Sequence, residues 1–464
     1  MNDESGATLR PSTEQLRRRV AETMGPARDD LAALVRIPSV AFAGFPEEPV
    51  RRAAAAVLDL VHGAGIDARL VDVPGSPPAV FGERLAKEGA PTVLLYAHYD
   101  VQPAGPDAAW TSPAFDPVER DGRLYGRGAA DDKAGVVMHV AALRALGADC
   151  AVGVKVLIEG AEEVGGGGIE EFVAANAASL SADAIVVADV GNTAVGEPTL
   201  TTSLRGMVKV LVTVTTLTAP VHSGGYGGPA PDALVALVRL LAGLHDSAGD
   251  VAVDGLIAGA YDGAAEDEDA FRRDAGVLPG VELTGTGSLA ERLYARPAIT
   301  IIGLDAPAVE GAANAVVPTA RATVSVRLAP GQEPSEAAAA VMAHLRAAAP
   351  WNVRLDVADL GGGEGFLART DGPAYAAARR ALMLAFDRPV VGCGQGGSIP
   401  LVAAFRKAVP GAEMILWGPE EPRSRIHGPD ESVDLAELER CVLAETLFLA
   451  DLSRVPGRDA VAPA

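Results

Sequence analysis

Five short stretches of the 464-residue sequence carry groups able to hold a metal ion or move a proton. His98 and Asp100 lie two apart in HYDVQP, so at the end of a strand both side chains project from one face toward a common point. Asp131 and Asp132 are adjacent in GRGAADDKAG, between a glycine-rich turn and a helix starting near Lys133. One of them could cap that helix, which leaves the other unexplained. Glu162 and Glu163 are adjacent in EGAEEVGG, after an apolar strand. Paired carboxylates there cost desolvation and mutual repulsion unless a cation offsets them, though an exposed acidic loop would carry the same letters. Asp189 closes the apolar run IVVAD, and His427 lies in RIHGPDES. Taken singly, each place reads equally well as structure. Together they supply two imidazoles and several carboxylates, the nitrogen and oxygen donors that zinc accepts, with manganese and cobalt as alternatives.

Periodicity shows which elements must position these groups. TVLLY at 92–96 reads as a buried strand running into His98, and 152–158 and 184–188 read as further buried strands. Helical patterns between short apolar strands predict an α/β layered domain, whose ligands gather at the carboxyl ends of strands. After Arg205-Gly206 the pattern changes. Strand 207–215, helix 232–245, strands 298–303 and 320–327, helix 335–348 and strand 352–358 give a βαββαβ order, the ferredoxin-like plan. In strand 320–327, Ala320, Ala322, Val324 and Val326 face one way, and Arg321, Thr323, Ser325 and Arg327 the other. The acidic stretch 255–287 reads as a solvated surface excursion. Gly361-Gly362-Gly363 reads as a hinge, beyond which α/β patterning resumes with strands near Val390 and Met414. The expected division is 1–204 with 363–464 as the catalytic domain, and 205–362 as a second domain inserted into it.

Composition narrows the function. The formal charge of −22 opposes binding to phosphate backbones and anionic membranes, so neither nucleic acid nor membrane is expected as a partner. No run approaches the roughly 18 to 20 apolar residues of a membrane span. The polar, acidic N-terminus lacks the apolar core of a secretory signal, and a cytoplasmic location is the expectation. Cys150, Cys393 and Cys441 are too few and too scattered for a disulfide framework or a four-thiolate zinc site. Cys393 reads as a small buried thiol. His62, His139, His245 and His344 fall in helical patterns without neighbouring carboxylates and are assigned no chemistry.

On these residues the sequence resembles the co-catalytic dizinc metallopeptidase family of carnosinase-type dipeptidases, aminoacylases, glutamate carboxypeptidases and succinyl-diaminopimelate desuccinylases, nearest to the dipeptidase branch. HYDVQP, GRGAADDKAG, EGAEEVGG, the strand end at Asp189, VHSGGYGG, NAVVPTARATVSVRLAP, GGSIP and HGPDES carry the resemblance over nearly the whole chain. It implies an α/β fold with a mixed-sheet aminopeptidase-like catalytic domain and an inserted ferredoxin-like α+β lid and dimerisation domain. It also implies two divalent metal ions per subunit, Zn2+ first, with Mn2+ or Co2+ possible. In that pattern Asp131 bridges both ions, His98 and Asp189 serve one, Glu163 and His427 serve the other, and Asp100 orients His98. The Asp131–Asp132 peptide bond would be cis, and Glu162 would be the general base. His222 would stabilise the oxyanion in a partner subunit of a homodimer, Arg327 would bind a substrate carboxylate, and Asn314 and Ser398 would touch substrate. Gln395 departs from the pattern, because carnosinase-like dipeptidases often carry glutamate there. A neutral side chain weakens selection for a free ammonium, which leaves an N-acyl-amino-acid deacylase as the alternative to a dipeptidase. A non-catalytic metal-binding protein is the remote alternative.

Overall fold

The computed structural model describes residues 11–87, 89–165, 168–261, 263, 267–397 and 399–454. Ser398 therefore lies outside the described residues. The chain divides into two compact units, Met1–Thr202 with Ala368–Cys393 and Ala404–Ala464, and Ser203–Leu367 with Gly394–Ala403.

The first unit is built on a six-stranded mixed sheet in the order Asp67–Val71, Ala79–Arg84, Gly153–Glu159, Thr92–His98, Ala184–Val187, Glu413–Leu416. The last four strands are mutually parallel, and the first two run antiparallel at one edge. Thr92–His98 is the apolar run TVLLYAH, buried from Val93 onward, as a central strand covered on both faces must be. Helix Lys133–Leu146 has every residue but Arg144 buried. It packs with the helices Thr13–Val35 and Leu435–Leu452 into one apolar core, to which Leu31, Val137 and Phe448 belong. Helix Thr13–Val35 opens with a reciprocal cap: the Ser12 hydroxyl accepts from Gln15 N at 3.2 Å, and Gln15 Oε1 accepts from Ser12 N at 2.7 Å.

The second unit is a four-stranded antiparallel sheet in the order Ala298–Asp305, Thr319–Leu328, Gly206–Thr215, Arg354–Gly363. Helices Ala233–Ala242 and Pro334–Ala347 complete the ferredoxin-like βαββαβ order. Burial alternates residue by residue along Gly206–Thr215, and Val208, Val210, Val212 and Val214 form a core with Leu237, Leu240, Val341 and Leu345. The alternation expected along 320–327 is present, except that Ser325 is also buried.

Two sequence expectations need correction. The 361–363 glycines are not a hinge but the end of a strand, which runs on through a register shift between Asp359 and Gly362. Gly361 has a φ of +86°, and a Cβ on Gly362 would collide with the Met207 carbonyl, so the run of glycines serves a bulge. The second correction concerns 394–403, expected in the first unit and found in the second. The Gln395 and Gly397 carbonyls accept from Arg205 N at 3.3 and 3.2 Å, which ties that segment to the start of the sheet.

Candidate metal centre

His98 is the last residue of its strand, and Asp189 follows Val187, the end of the neighbouring parallel strand. Glu162 and Glu163 follow the strand on the other side, and Asp131 lies two residues before the helix start at Lys133. The carboxyl ends of three adjacent parallel strands thus deliver ligands to one place, as open α/β sheets commonly do. His427 arrives on a loop with a φ of +62°.

Two groups of side chains converge there. His98 Nε2 lies 3.0 Å from Asp131 Oδ1 and 3.6 Å from Asp189 Oδ1. His427 Nε2 lies 3.0 Å from Asp131 Oδ2 and 3.1 Å from Glu163 Oε2. Within each trio the donor atoms are within 4.8 Å of one another, close enough to share an ion, and Asp131 belongs to both. The donor set fits divalent cations of the zinc type, one imidazole and two carboxylates on each side.

The electrostatics show what the acids and imidazoles do to one another. Burial disfavours a charged His98, yet its hydrogen bonds to Asp100, Asp131 and Asp189 carry its pKa well above the usual range. Burial would raise Asp131, but His427 and His98 hold it below the ordinary carboxylate range. Burial pushes Asp189 up to about 6. Hydrogen bonds to Asp131 and Glu163 push His427 up to about 10. The carboxylates favour positive charge at both imidazoles, and a metal cation would answer the same demand. Glu162 belongs to neither trio. Burial first, then the nearby Asp189, raises its carboxyl well above the usual range.

Asp100 is fully buried behind His98, with Oδ1 3.2 Å from His98 Nδ1. Its oxygens also accept from Glu162 N at 3.2 Å and Glu163 N at 3.1 Å, so one carboxylate fixes both the ring and the loop carrying the two glutamates. Asp132 does not cap the helix. Its Oδ2 accepts from His98 N at 3.1 Å, and the Asp131–Asp132 peptide is cis, as the resemblance implied. Gln102, not singled out from the sequence, donates to both oxygens of Glu163, from its own N at 3.1 Å and Nε2 at 2.7 Å. Its place in HYDVQP, two residues after Asp100, was the available signal.

The remaining predicted residues lie in the second unit. His222 and Asn314 are neighbours: Val221–His222 pairs with Ala315–Val316, and Ser223 N donates to the Asn314 carbonyl at 2.9 Å. Both are exposed. Arg327 stands opposite Met207 in the sheet register, and burial lowers its pKa. Arg205, two residues before Met207, was missed. It is mostly buried, and burial followed by the nearby Arg327 lowers its pKa to about 10. Gln395 ends the strand Val391–Gln395.

A mixed α/β fold whose strand ends and adjoining loops bring two imidazoles and three carboxylates into two trios that share Asp131 defines a protein built to hold two divalent cations. The pattern of Peptidase family M20/M25/M40 matches residues 94–451, and the chain belongs to that family. It is an enzyme, a metal-dependent peptidase. The chain is 43% identical over 394 residues to a cysteinylglycine-S-conjugate dipeptidase of Corynebacterium striatum, spanning 83% of this chain and 86% of that one. It is 30% identical to a β-Ala-His dipeptidase of Rattus norvegicus over 74% of this chain and 73% of that protein. Its fold resembles human carnosine dipeptidase 1, with a TM-score of 0.82 and 24% identity, covering 96% of this chain and all of that one. No helix among the described residues is long and apolar enough to cross a membrane.

Proposed function

We propose that the enzyme hydrolyses the amide bond of dipeptides and similar small peptide-like substrates, with two zinc ions held by His98, Asp131 and Asp189 and by Asp131, Glu163 and His427. The observation that carries this reading is Asp131, which turns one oxygen to each histidine, while Glu162 stands beside both trios and joins neither. Cations bound there would supply Lewis acidity and lower the pKa of an attacking water. Glu162 takes that water's proton and returns it to the departing amine, a task suited to a carboxyl whose pKa stands above the ordinary range. Asp100 keeps His98 in the tautomer that presents Nε2 forward. The relatives named as dipeptidases support the substrate class.

Arg327 receives the substrate's carboxylate through its forked guanidinium. His222, exposed on the second unit, serves the oxyanion of a partner subunit in a homodimer formed through that unit, with Asn314 beside it and Gln395 and Ser398 completing the substrate contacts. Gln395 is the observation that favours a second reading, an N-acyl-amino-acid deacylase, because a neutral amide gives a free ammonium no ion pair and so weakens selection for it. Rates on an alanyl dipeptide, its N-acetyl analogue and its C-terminal amide decide between them. The proposal expects the free dipeptide to be preferred, and expects Arg327→Ala to hurt it far more than the amide. Preference for the acetylated form would establish the deacylase instead.

A further inference from the structure

Glu431 lies four residues beyond His427, is fully buried, and is used by none of the roles above. Its Oε2 accepts from Arg127 Nη1 at 2.6 Å and Gly128 N at 3.0 Å. Its Oε1 accepts from Ala130 N at 3.0 Å and Asp131 N at 3.1 Å. Arg127 is buried as well and donates through Nη2 to the carbonyl of Gly428, the residue after His427, at 3.2 Å. One carboxylate thus gathers the backbone that presents Asp131, and the guanidinium bound to it grips the backbone that presents His427.

The two ligand trios differ in what else supports them. His98 ends a central strand and Asp189 follows the strand beside it, and Asp100 and Asp132 brace His98 from behind. Glu163 is held by both hydrogen bonds from Gln102. His427 has no strand or helix under it, its side chain is 54% exposed, and Arg425, His427 and Asp430 all have positive φ. A loop with that backbone keeps its place through tertiary contacts, and the contacts next to His427 lead to Arg127 and Glu431.

We propose that Glu431 is a positioning residue for the trio Asp131, Glu163 and His427: with Arg127 it sets Asp131 and His427 at the spacing that holds the second ion. The inference rests on the ligand reading given above. Glutamine at 431 cannot substitute, because either orientation of its amide turns an NH2 toward backbone N–H groups, those of Ala130 and Asp131 or that of Gly128.

The test is calorimetric titration of zinc into metal-free wild type, His427→Ala, Glu431→Gln and Arg127→Lys, with bound metal counted by mass spectrometry and folding followed by circular dichroism. Wild type should bind two ions and His427→Ala one. Glu431→Gln should bind the ion of the His427 trio ten- to a hundredfold more weakly, the usual effect of removing a support behind a metal ligand, and the ion of the His98 trio, which shares Asp131, with a clearly smaller loss. Arg127→Lys keeps the charge beside Glu431 but loses the forked grip on Gly428, and should weaken the same site. A wild-type isotherm for Glu431→Gln, or equal weakening of both sites in a folded protein, would overturn the proposal. If Glu431→Gln does not fold, Arg127→Lys decides, and unchanged affinity there overturns it. Two ions retained by His427→Ala would instead refute the ligand reading itself.

Discussion

Asp131 turns its two oxygens to different histidines, Oδ1 to His98 Nε2 at 3.0 Å and Oδ2 to His427 Nε2 at 3.0 Å. Among the described residues, no other side chain belongs to both trios. Asp131→Ala should therefore strip tight binding from both ions and abolish turnover. Glu162→Gln should retain both ions while turnover falls by about a hundredfold to ten-thousandfold, the range for loss of a general base. Metal counting beside kcat separates the two variants. Loss of an ion from Glu162→Gln would mean that the roles of Glu162 and Glu163 are reversed.

His222 tests the partner-subunit reading. His222→Ala should lower kcat about a hundredfold to a thousandfold with metal content intact, as loss of one oxyanion donor does. Mixing that variant with Glu162→Gln sharpens the result. If His222 serves the neighbour's metals, each mixed dimer has one site with both defects and one with neither, and activity returns to as much as half the wild-type level. A mixture that stays inactive, or an active monomer, refutes the reading.

His139 was assigned no chemistry from its sequence neighbours, and the structure shows what it does instead. Its Nδ1 lies 2.8 and 2.9 Å from the two oxygens of Glu445, and its Nε2 3.0 Å from the Tyr96 carbonyl. An ionised carboxylate and a carbonyl only accept, so both ring nitrogens donate and the ring is an imidazolium. Burial works against that charge, but Glu445 outweighs it and raises the pKa above the ordinary 6.5. The stabilisation is complete below the unfolded value of 6.5 and is lost as pH rises through the folded pKa. His139→Leu, which leaves Glu445 buried without its partner, should cost about 3–5 kcal/mol near neutral pH. Unfolding free energies of wild type should fall from pH 6.5 upward relative to the double variant His139→Leu/Glu445→Leu. A difference that does not change with pH would contradict the imidazolium.

Local patterns made much of this legible. Apolar runs ending in charged residues located the strands, and the ligands stand at the ends of those runs because a parallel sheet delivers them there. The ferredoxin-like order followed from alternation alone, since one face of that sheet is buried. What stayed hidden depends on contacts between distant parts of the chain. One of Asp131 and Asp132 looked like a helix cap because capping is the local role for aspartate, but His98 N claims the Asp132 carboxylate and His98 and His427 face that of Asp131. Glu431 and Glu445 reach back to Asp131 and His139, pairings that no local pattern encodes. The glycines at 361–363 looked like a hinge because a bulge depends on the strand beside it.

Amide hydrolysis that depends on two cations sharing Asp131 must follow the metal content of the protein through chelation and stepwise reconstitution. Metal-free protein is given zinc in measured increments, and hydrolysis of an alanyl dipeptide is followed against bound metal per chain. Activity should be absent without metal, complete as the second equivalent fills, and not recovered in Asp131→Ala at any zinc level. Hydrolysis that persists after complete chelation, or that is already maximal with one ion bound, would contradict that dependence.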